Sequence, residues 1–293
     1  MRLAMVVMGA LGVAALALPV RAADWSAVSK ALGRPGAVQA GGVYRVGMPR
    51  SDLRVTLDGV AIKPALALGS WVAFHEEAGG QAMVMGDLVL TQSEVNPVID
   101  VLEANGIEIT ALHNHLLRST PATMYMHVEG RGDPVRIAAA LREALAKTGT
   151  PLGAAPAVKP APLALDTDML DRVLGAKGTA NGGVYGFSIP RAEAPRSGGM
   201  PLPPPMGAAI GINFQPTGAG RAATTGDFVL TAEEVNPVIR SLRAAGIEIT
   251  AIHNHMLDDE PRLFFMHFWA NEEAAKEGRG LRAALDHVKI AGR

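Results

Sequence analysis

The 293-residue sequence contains no cysteine. That absence excludes disulfides, thiolate metal ligands and a cysteine nucleophile together. Any metal must be held by His, Asp, Glu or Met, and any covalent catalysis by Ser, Thr, Lys or a carboxylate. Neither sign of charge prevails: 27 basic residues face 28 acidic ones, for a formal charge of −1. The chain therefore lacks the basic excess with which nucleic-acid binders neutralise phosphate, and nucleic acid is not an expected partner. Aromatic residues are scarce, at 4%. No apolar run reaches the roughly 20 residues that a membrane-spanning helix requires. A Gly-rich phosphate loop and a nucleophile elbow are missing as well. Against these absences, 48% of residues are hydrophobic, enough to bury a sizeable core.

The first 22 residues read as a secretory signal. Met1-Arg2 forms a charged end, Leu3 to Leu18 an apolar run, and Val20-Arg21-Ala22 a small-x-small cleavage site after Pro19. The mature chain is expected to start near Ala23, in a periplasmic or secreted location, with no membrane span left after cleavage.

The remainder is one unit written twice. The segment GDLVLTQSEVNPVIDVLEANGIEITALHNH at 86–115 returns as GDFVLTAEEVNPVIRSLRAAGIEITAIHNH at 226–255, with 22 of 30 positions identical at an offset of 140. The same offset relates Met126-His127 to Met266-His267 and Leu141-Arg142 to Leu281-Arg282. We therefore expect a signal segment at 1–22, repeats at 23–148 and 163–293, and a linker at 149–162. Four prolines among Ala and Gly give that linker an extended polyproline II character, at about 3.1 Å per residue. A second Pro-rich stretch, Pro195 to Pro205, reads as an irregular loop that replaces a strand pair or covers an edge.

Within each unit the pattern predicts a helix (Ser26 to Leu32; Asp168 to Leu174), several strands, a central helix, a hairpin and a final helix. The fold class is α+β: a tandem duplication of an antiparallel-sheet-plus-helices unit, packed as a pseudo-two-fold pair. In the central helix Val95, Val98, Ile99 and Leu102 make one apolar stripe, kept in the second copy as Val235, Val238, Ile239 and Leu242. Thr91-x-x-Glu94 and Thr231-x-x-Glu234 fit capping boxes. Pro97 and Pro237 fit better if Asn96 and Asn236 are the caps, so the helix start stays open.

The chemistry-bearing residues are histidines. Ile107 to Leu117 and Thr123 to Glu129 read as a β-hairpin around Arg118 to Pro121. Side chains alternate along a strand, so His113 and His115 share a face, about 6.6 Å apart at Cα. A turn centred on Ser119 and Thr120 would set His127 opposite one of them on that face, beside Tyr125 and Glu129. The second copy repeats the set as His253, His255 and His267. Three imidazoles can supply three tetrahedral ligands and leave one position open. Without a metal, the same residues would be polar strand positions lining a groove or packing between the units. Asn114, Asn254, Glu108 and Glu248 alternate to the other face. Met126 and Met266 do so too, which assigns them to the core rather than to a copper site. His75 has no counterpart, since Gln215 stands in its place.

GDxVLxxxEVNPVI, GIEITALHNH and PRLFFMHFWA, in a duplicated chain with a signal segment, resemble the LppY/LpqO family of bacterial exported proteins, a family of unknown function. The likeness runs from about Gly41 to the C-terminus. Mycobacterial members are lipoproteins, whereas this sequence lacks the cysteine such an anchor needs. The family brings no activity, cofactor or catalytic residues, so the histidine spacing carries the functional reading.

That reading is an exported protein binding a divalent transition metal, with zinc the best fit to the ligand type, through His113, His115 and His127 and through His253, His255 and His267. One alternative is a metal-dependent hydrolase or lyase with Glu129 or Glu108 as the base. The other is a metal-free module that takes a small molecule in a His-lined groove. Whether the two triads make one site or two is open at this stage.

Overall fold

Antiparallel strands whose neighbours carry long apolar stripes need covering on both faces, and the computed structural model of the chain shows how this is achieved. It describes residues 24–153 and 162–292. The expected signal segment and the middle of the expected linker lie outside them.

The first repeat runs α1 (Ser26–Leu32), β1 (Ala37–Val38), β2 (Tyr44–Pro49), β3 (Thr56–Leu57), β4 (Val60–Ala61), α2 (Pro64–Ala67), β5 (Gly69–Glu76), β6 (Ala82–Thr91), α3 (Val95–Ala104), β7 (Glu108–His113), β8 (Thr123–Gly132) and α4 (Pro134–Leu145). The second runs α5 (Thr167–Leu174), β9 (Thr179–Asn181), β10 (Val184–Pro190), β11 (Arg196–Ser197), β12 (Met200–Pro201), β13 (Ala209–Gly218), β14 (Arg221–Leu230), α6 (Ala232–Ala244), β15 (Glu248–His253), β16 (Asp259–Glu260), β17 (Phe264–Glu273) and α7 (Ala274–Leu285). Each repeat builds a six-stranded sheet, in the orders β1-β2-β5-β6-β8-β7 and β9-β10-β13-β14-β17-β15. Every ladder within them is antiparallel. The α+β duplication read from the sequence is what is observed.

Alternation along β6 sorts the layers. Val84, Leu88 and Leu90 join α1, α3 and α4 in one core. Met83 and Met85 instead enter the core of the second repeat, and Val89 packs with Val184, Ala223 and Trp269 of that repeat. Helices thus cover one face of each sheet and the other repeat covers the opposite face. Strands buried on both sides read as near-continuous apolar runs. Burying each Val, Leu or Phe in these layers is worth about 1.5–3 kcal/mol, and the cross-repeat contacts spend part of that on pairing the two units. Met126 and Met266 lie on the helix-facing side, fully buried, as alternation predicts.

The central helices begin at Val95 and Ala232, so neither asparagine is the cap. Thr231 and Glu234 complete a reciprocal capping box in α6, with Pro237 inside the helix. In α3, Thr91 N–H donates to Glu94 Oε2 at 2.7 Å. Both glutamates also take a buried arginine: Arg50 donates to Glu94 at 2.8 and 3.1 Å and to the Val89 carbonyl at 2.6 Å. Arg191 does the same to Glu234 at 2.6 and 3.2 Å and to Val229 at 2.7 Å. Such an ion pair tolerates burial because both partners are charged and bonded on several sides.

The stretch Pro195 to Pro205 does not replace a strand pair. It keeps β11 and β12 as a short hairpin, equivalent to β3 and β4, and adds β16 alongside β11. The prolines sit at the ends of these two-residue strands, where no interior ladder bond is lost.

At the pseudo-two-fold axis the two edge strands β7 and β15 come together, and side chains clasp across it reciprocally. Thr110 Oγ1 donates to the His255 carbonyl at 2.5 Å and Thr250 Oγ1 to the His115 carbonyl at 2.6 Å. Asn114 Nδ2 donates to Thr250 O at 3.0 Å and Asn254 Nδ2 to Thr110 O at 2.8 Å. These asparagines, expected to face away from the histidines, hold each repeat's histidine loop against the other repeat.

Candidate metal centre

The hairpin is shorter and its register differs from the sequence expectation. β7 ends at His113, which pairs with Tyr125, and His127 lies opposite Ala111 past a bulge between Ile109 and Ala111. His127 is therefore opposite neither His113 nor His115. Beyond His113 the chain leaves the ladder, Asn114 bonds to the other repeat, and a long loop leads to β8. His115 sits on that loop. The rings still converge, with centroids of His113 5.1 Å from both His115 and His127. In the second repeat His253 is 5.1 Å from His255 and 4.8 Å from His267.

Closer approaches occur between the repeats. His113 and His253 stack at 3.5 Å, His115 and His267 lie 3.7 Å apart, and His127 and His255 3.8 Å apart. Tyr125 covers His115 at 3.3 Å and its counterpart Phe265 covers His255 at 3.4 Å. Six imidazoles thus form a single cluster between the sheets. Among the described residues, three groups bring their ligand atoms within 4.8 Å of one another: His113, His115 and His127; His113, His253 and His267; and His127, His253 and His255. Two of the three draw on both repeats.

Sequence reasoning missed two members. Asp87 on β6 pairs with His127, and Asp227 on β14 with His267. Asp87 Oδ2 is 3.7 Å from His115 Nε2, and Asp227 Oδ2 is 3.2 Å from His255 Nε2. Asp227 Oδ1 is 3.9 Å from His267 Nδ1. The available signal was an acidic residue inside an apolar strand, in the same Gly-Asp pair of both copies. The glycines are needed there: a Cβ on Gly226 would stand 2.0 Å from the Gly211 carbonyl oxygen, and one on Gly86 2.9 Å from that of Trp71.

Burial sets the protonation of the cluster. It is the first cause that lowers every one of the six imidazoles: His113 and His267 to about 4, His255 to about 3, and His115, His127 and His253 far down, where neighbouring rings add to the effect. Burial likewise raises Asp227 to about 6 and Asp87 well above the carboxylate range, the latter helped by Asp227 itself. At neutral pH all six rings are uncharged, the form that ligates metal. Backbone carbonyls fix the tautomer. Nδ1 of His113, His255 and His267 lies 3.0, 3.3 and 2.7 Å from the carbonyls of Asn114, Gly207 and Gly226, and the Gly86 backbone serves His127. A carbonyl only accepts, so Nδ1 carries the proton and Nε2 keeps its lone pair.

Those Nε2 atoms make no hydrogen bond, although His255 Nε2 has Asp227 Oδ2 3.2 Å away. Among the described residues, the buried nitrogen and oxygen atoms without a hydrogen bond include Nε2 of all six histidines, Nδ1 of His253, and Oδ1 of Asp87 and Asp227. Each such atom costs about 1–3 kcal/mol. Buried polar groups are normally paired, so nine of them in one place mark a site built for something other than packing.

The remaining candidates lie to the side. Glu129 accepts from Ser197 Oγ at 3.1 Å and lies 3.5 Å from Arg131, and burial raises its carboxyl. Glu108 faces Glu129 across the ladder and is exposed. Neither belongs to the close histidine groups. In the second repeat Trp269 fills the position of Glu129 and donates to Asp58 at 3.1 Å. His75 pairs with Met83, four positions along β6 from Asp87, and is in none of the groups. Its counterpart Gln215 bonds instead to Lys63 N and Ala61 O of the first repeat, at 2.8 Å each.

The model of a Domain of Unknown Function (DUF1259) matches residues 26–147 and again 168–287. No curated protein matches the chain. Among solved structures, a trimeric bacterial microcompartment shell protein PduB is similar over 86% of this chain and 92% of its own, at 14% identity and a TM-score of 0.20. A likeness that faint supports no statement about fold or activity.

Proposed function

Starting from a chain that belongs to the Domain of Unknown Function (DUF1259) family and carries that domain twice, we propose that it is an exported protein that binds a divalent transition metal at one centre shared by both repeats. The observation that carries this reading is the set of nine buried, unpaired donor atoms on six histidines and two aspartates. Metal coordination is an interaction that satisfies many converging lone pairs at once. The donor set is nitrogen and oxygen without sulfur, which suits zinc best among common ions. His113, His127, His255 and His267 are held at Nδ1 by the backbone, the arrangement that orients a metal-ligating imidazole.

Export rests on the apolar segment before Ala23 and on the motif resemblance to the LppY/LpqO family, and the absence of cysteine removes the residue a lipid anchor would use. No described helix is long and apolar enough to cross a membrane.

The test is elemental analysis of protein purified without a histidine tag, then stripped with chelator and titrated with zinc or cobalt. At least one equivalent per chain is expected, and cobalt should show the intense visible bands of a tetrahedral site. Absence of metal on purification together with no uptake on titration would refute the reading.

A further inference from the structure

We propose that the shared centre takes two metal ions, with His253 between them as a common ligand. This rests on the metal-binding reading above. Six imidazoles and two carboxylates are more donors than one four-coordinate ion can use. The group of His113, His253 and His267 and the group of His127, His253 and His255 have one member in common, which is His253. It is also set apart chemically. His113, His127, His255 and His267 each spend one ring nitrogen on a backbone partner, whereas both nitrogens of His253 are buried and bonded to nothing.

A buried ring whose N–H and lone pair both lack partners is costly, and it is relieved if the lone pair meets one ion and a second ion takes the place of the proton. Its two lone-pair directions diverge, so each nitrogen can serve a different ion. Binding both ions displaces the one ring proton of His253, which passes to solvent and leaves an imidazolate. The carboxylates are placed to offset charge: Asp227 lies between the groups, 3.2 Å from His255 of the second and 3.9 Å from His267 of the first, and Asp87 is the ladder partner of His127 of the second. The third close group, His113, His115 and His127, does not include His253. It remains available to one ion when His253 is removed.

Copper(II) is the probe, because two copper ions joined through one imidazolate couple magnetically. Chelator-stripped full-length protein, without a tag, is titrated with copper(II) while bound metal and the electron paramagnetic resonance signal are followed together. The signal should grow over the first equivalent and decline over the second, with saturation at two per chain. His253→Leu, checked for folding by circular dichroism, should saturate at one equivalent with an uncoupled signal. Saturation of the native chain at one equivalent overturns the two-ion proposal and leaves the metal-binding reading standing. Two equivalents with additive signals, or two retained by folded His253→Leu, overturn the role of His253. No uptake at all removes both readings.

Discussion

A ring whose two nitrogens are buried and unpaired should weigh on the metal-free fold, and His253→Leu tests this directly. Leucine is close to imidazole in volume and brings no polar atom, so the substitution removes the two orphaned nitrogens of His253 without opening a large cavity. Each unsatisfied group costs about 1–3 kcal/mol. Side-chain rearrangement around leucine takes back up to about 1.5 kcal/mol. Two such groups cost about 2–6 kcal/mol, so the net expectation is a metal-free variant more stable than the native chain by about 0.5–6 kcal/mol. A change of 1 kcal/mol moves the thermal midpoint by about 2–4 °C for chains of 150–250 residues, so the rise should be easily measured by circular dichroism in chelator. Saturating metal should reverse the order, because a ligand at 100 times its dissociation constant adds about 2.7 kcal/mol to the state that binds it, and the variant has lost part of the centre. Such a trade of stability for function is common where a site needs groups that packing does not want. A metal-free variant less stable than the native chain would refute the reasoning, because it would mean that His253 is satisfied in the absence of metal.

Glu94→Gln should leave the Arg50 guanidinium buried with Asp52 as its only acidic partner and cost about 3 kcal/mol in urea unfolding. Burial pushes the Glu94 carboxyl up, but the hydrogen bonds from Arg50 and from the Thr91 and Gly149 amides outweigh it and hold the group below its ordinary range. Its contribution is therefore present above the unfolded carboxylate pKa and is lost as pH falls through the folded value, so the native chain should lose stability more steeply in acid than the variant. Glu277 behaves oppositely: burial raises it to about 7 despite bonds from Thr224 and the Glu272 amide. The folded state then binds the proton more tightly, so its contribution is intact below about 4.5 and is lost as pH rises through 7. Glu277→Gln should flatten that loss, by an amount on the order of 3 kcal/mol between pH 5 and 8; equal pH profiles would contradict it. Replacing both Asn114 and Asn254 by Ala should free the histidine loops, lowering metal affinity about 10- to 100-fold and speeding amide exchange at residues 114–117 and 254–257. Gly226→Ala, with its Cβ driven against the Gly211 carbonyl, should cost about 1–3 kcal/mol, visible as a lowered urea midpoint.

The sequence shows the duplication, the apolar stripe of α3 and the alternation that sends Met126 and Met266 into the core, because each of these is a local period. It also contains the six histidines as a repeated spacing. The ladder register is not legible from alternation: a bulge between Ile109 and Ala111 sets His127 opposite Ala111, and Asn114 is drawn to the other repeat. For the same reason no count along one hairpin reveals that His113 lies nearest His253, which is 140 residues away. Asp87 and Asp227 escaped notice because a strand covered on both faces reads as uniformly apolar, and an acid within it resembles an ordinary solvent-facing exception. Its placement beside the histidines follows from the pairing of β6 with β8 and of β14 with β17.

The reciprocal clasp at the pseudo-two-fold axis has a consequence for descent. A chain holding a single copy would present Thr110 and Asn114 to an identical neighbour, and would complete the histidine cluster as a symmetric homodimer. Such an assembly falls apart on dilution. Joining the copies in one chain replaces association between molecules by a fixed effective concentration, so the centre persists however scarce the protein becomes. Fusion also releases the halves from being identical, and Trp269 at the position equivalent to Glu129, with Gln215 at that of His75, shows that the two copies have already used that freedom.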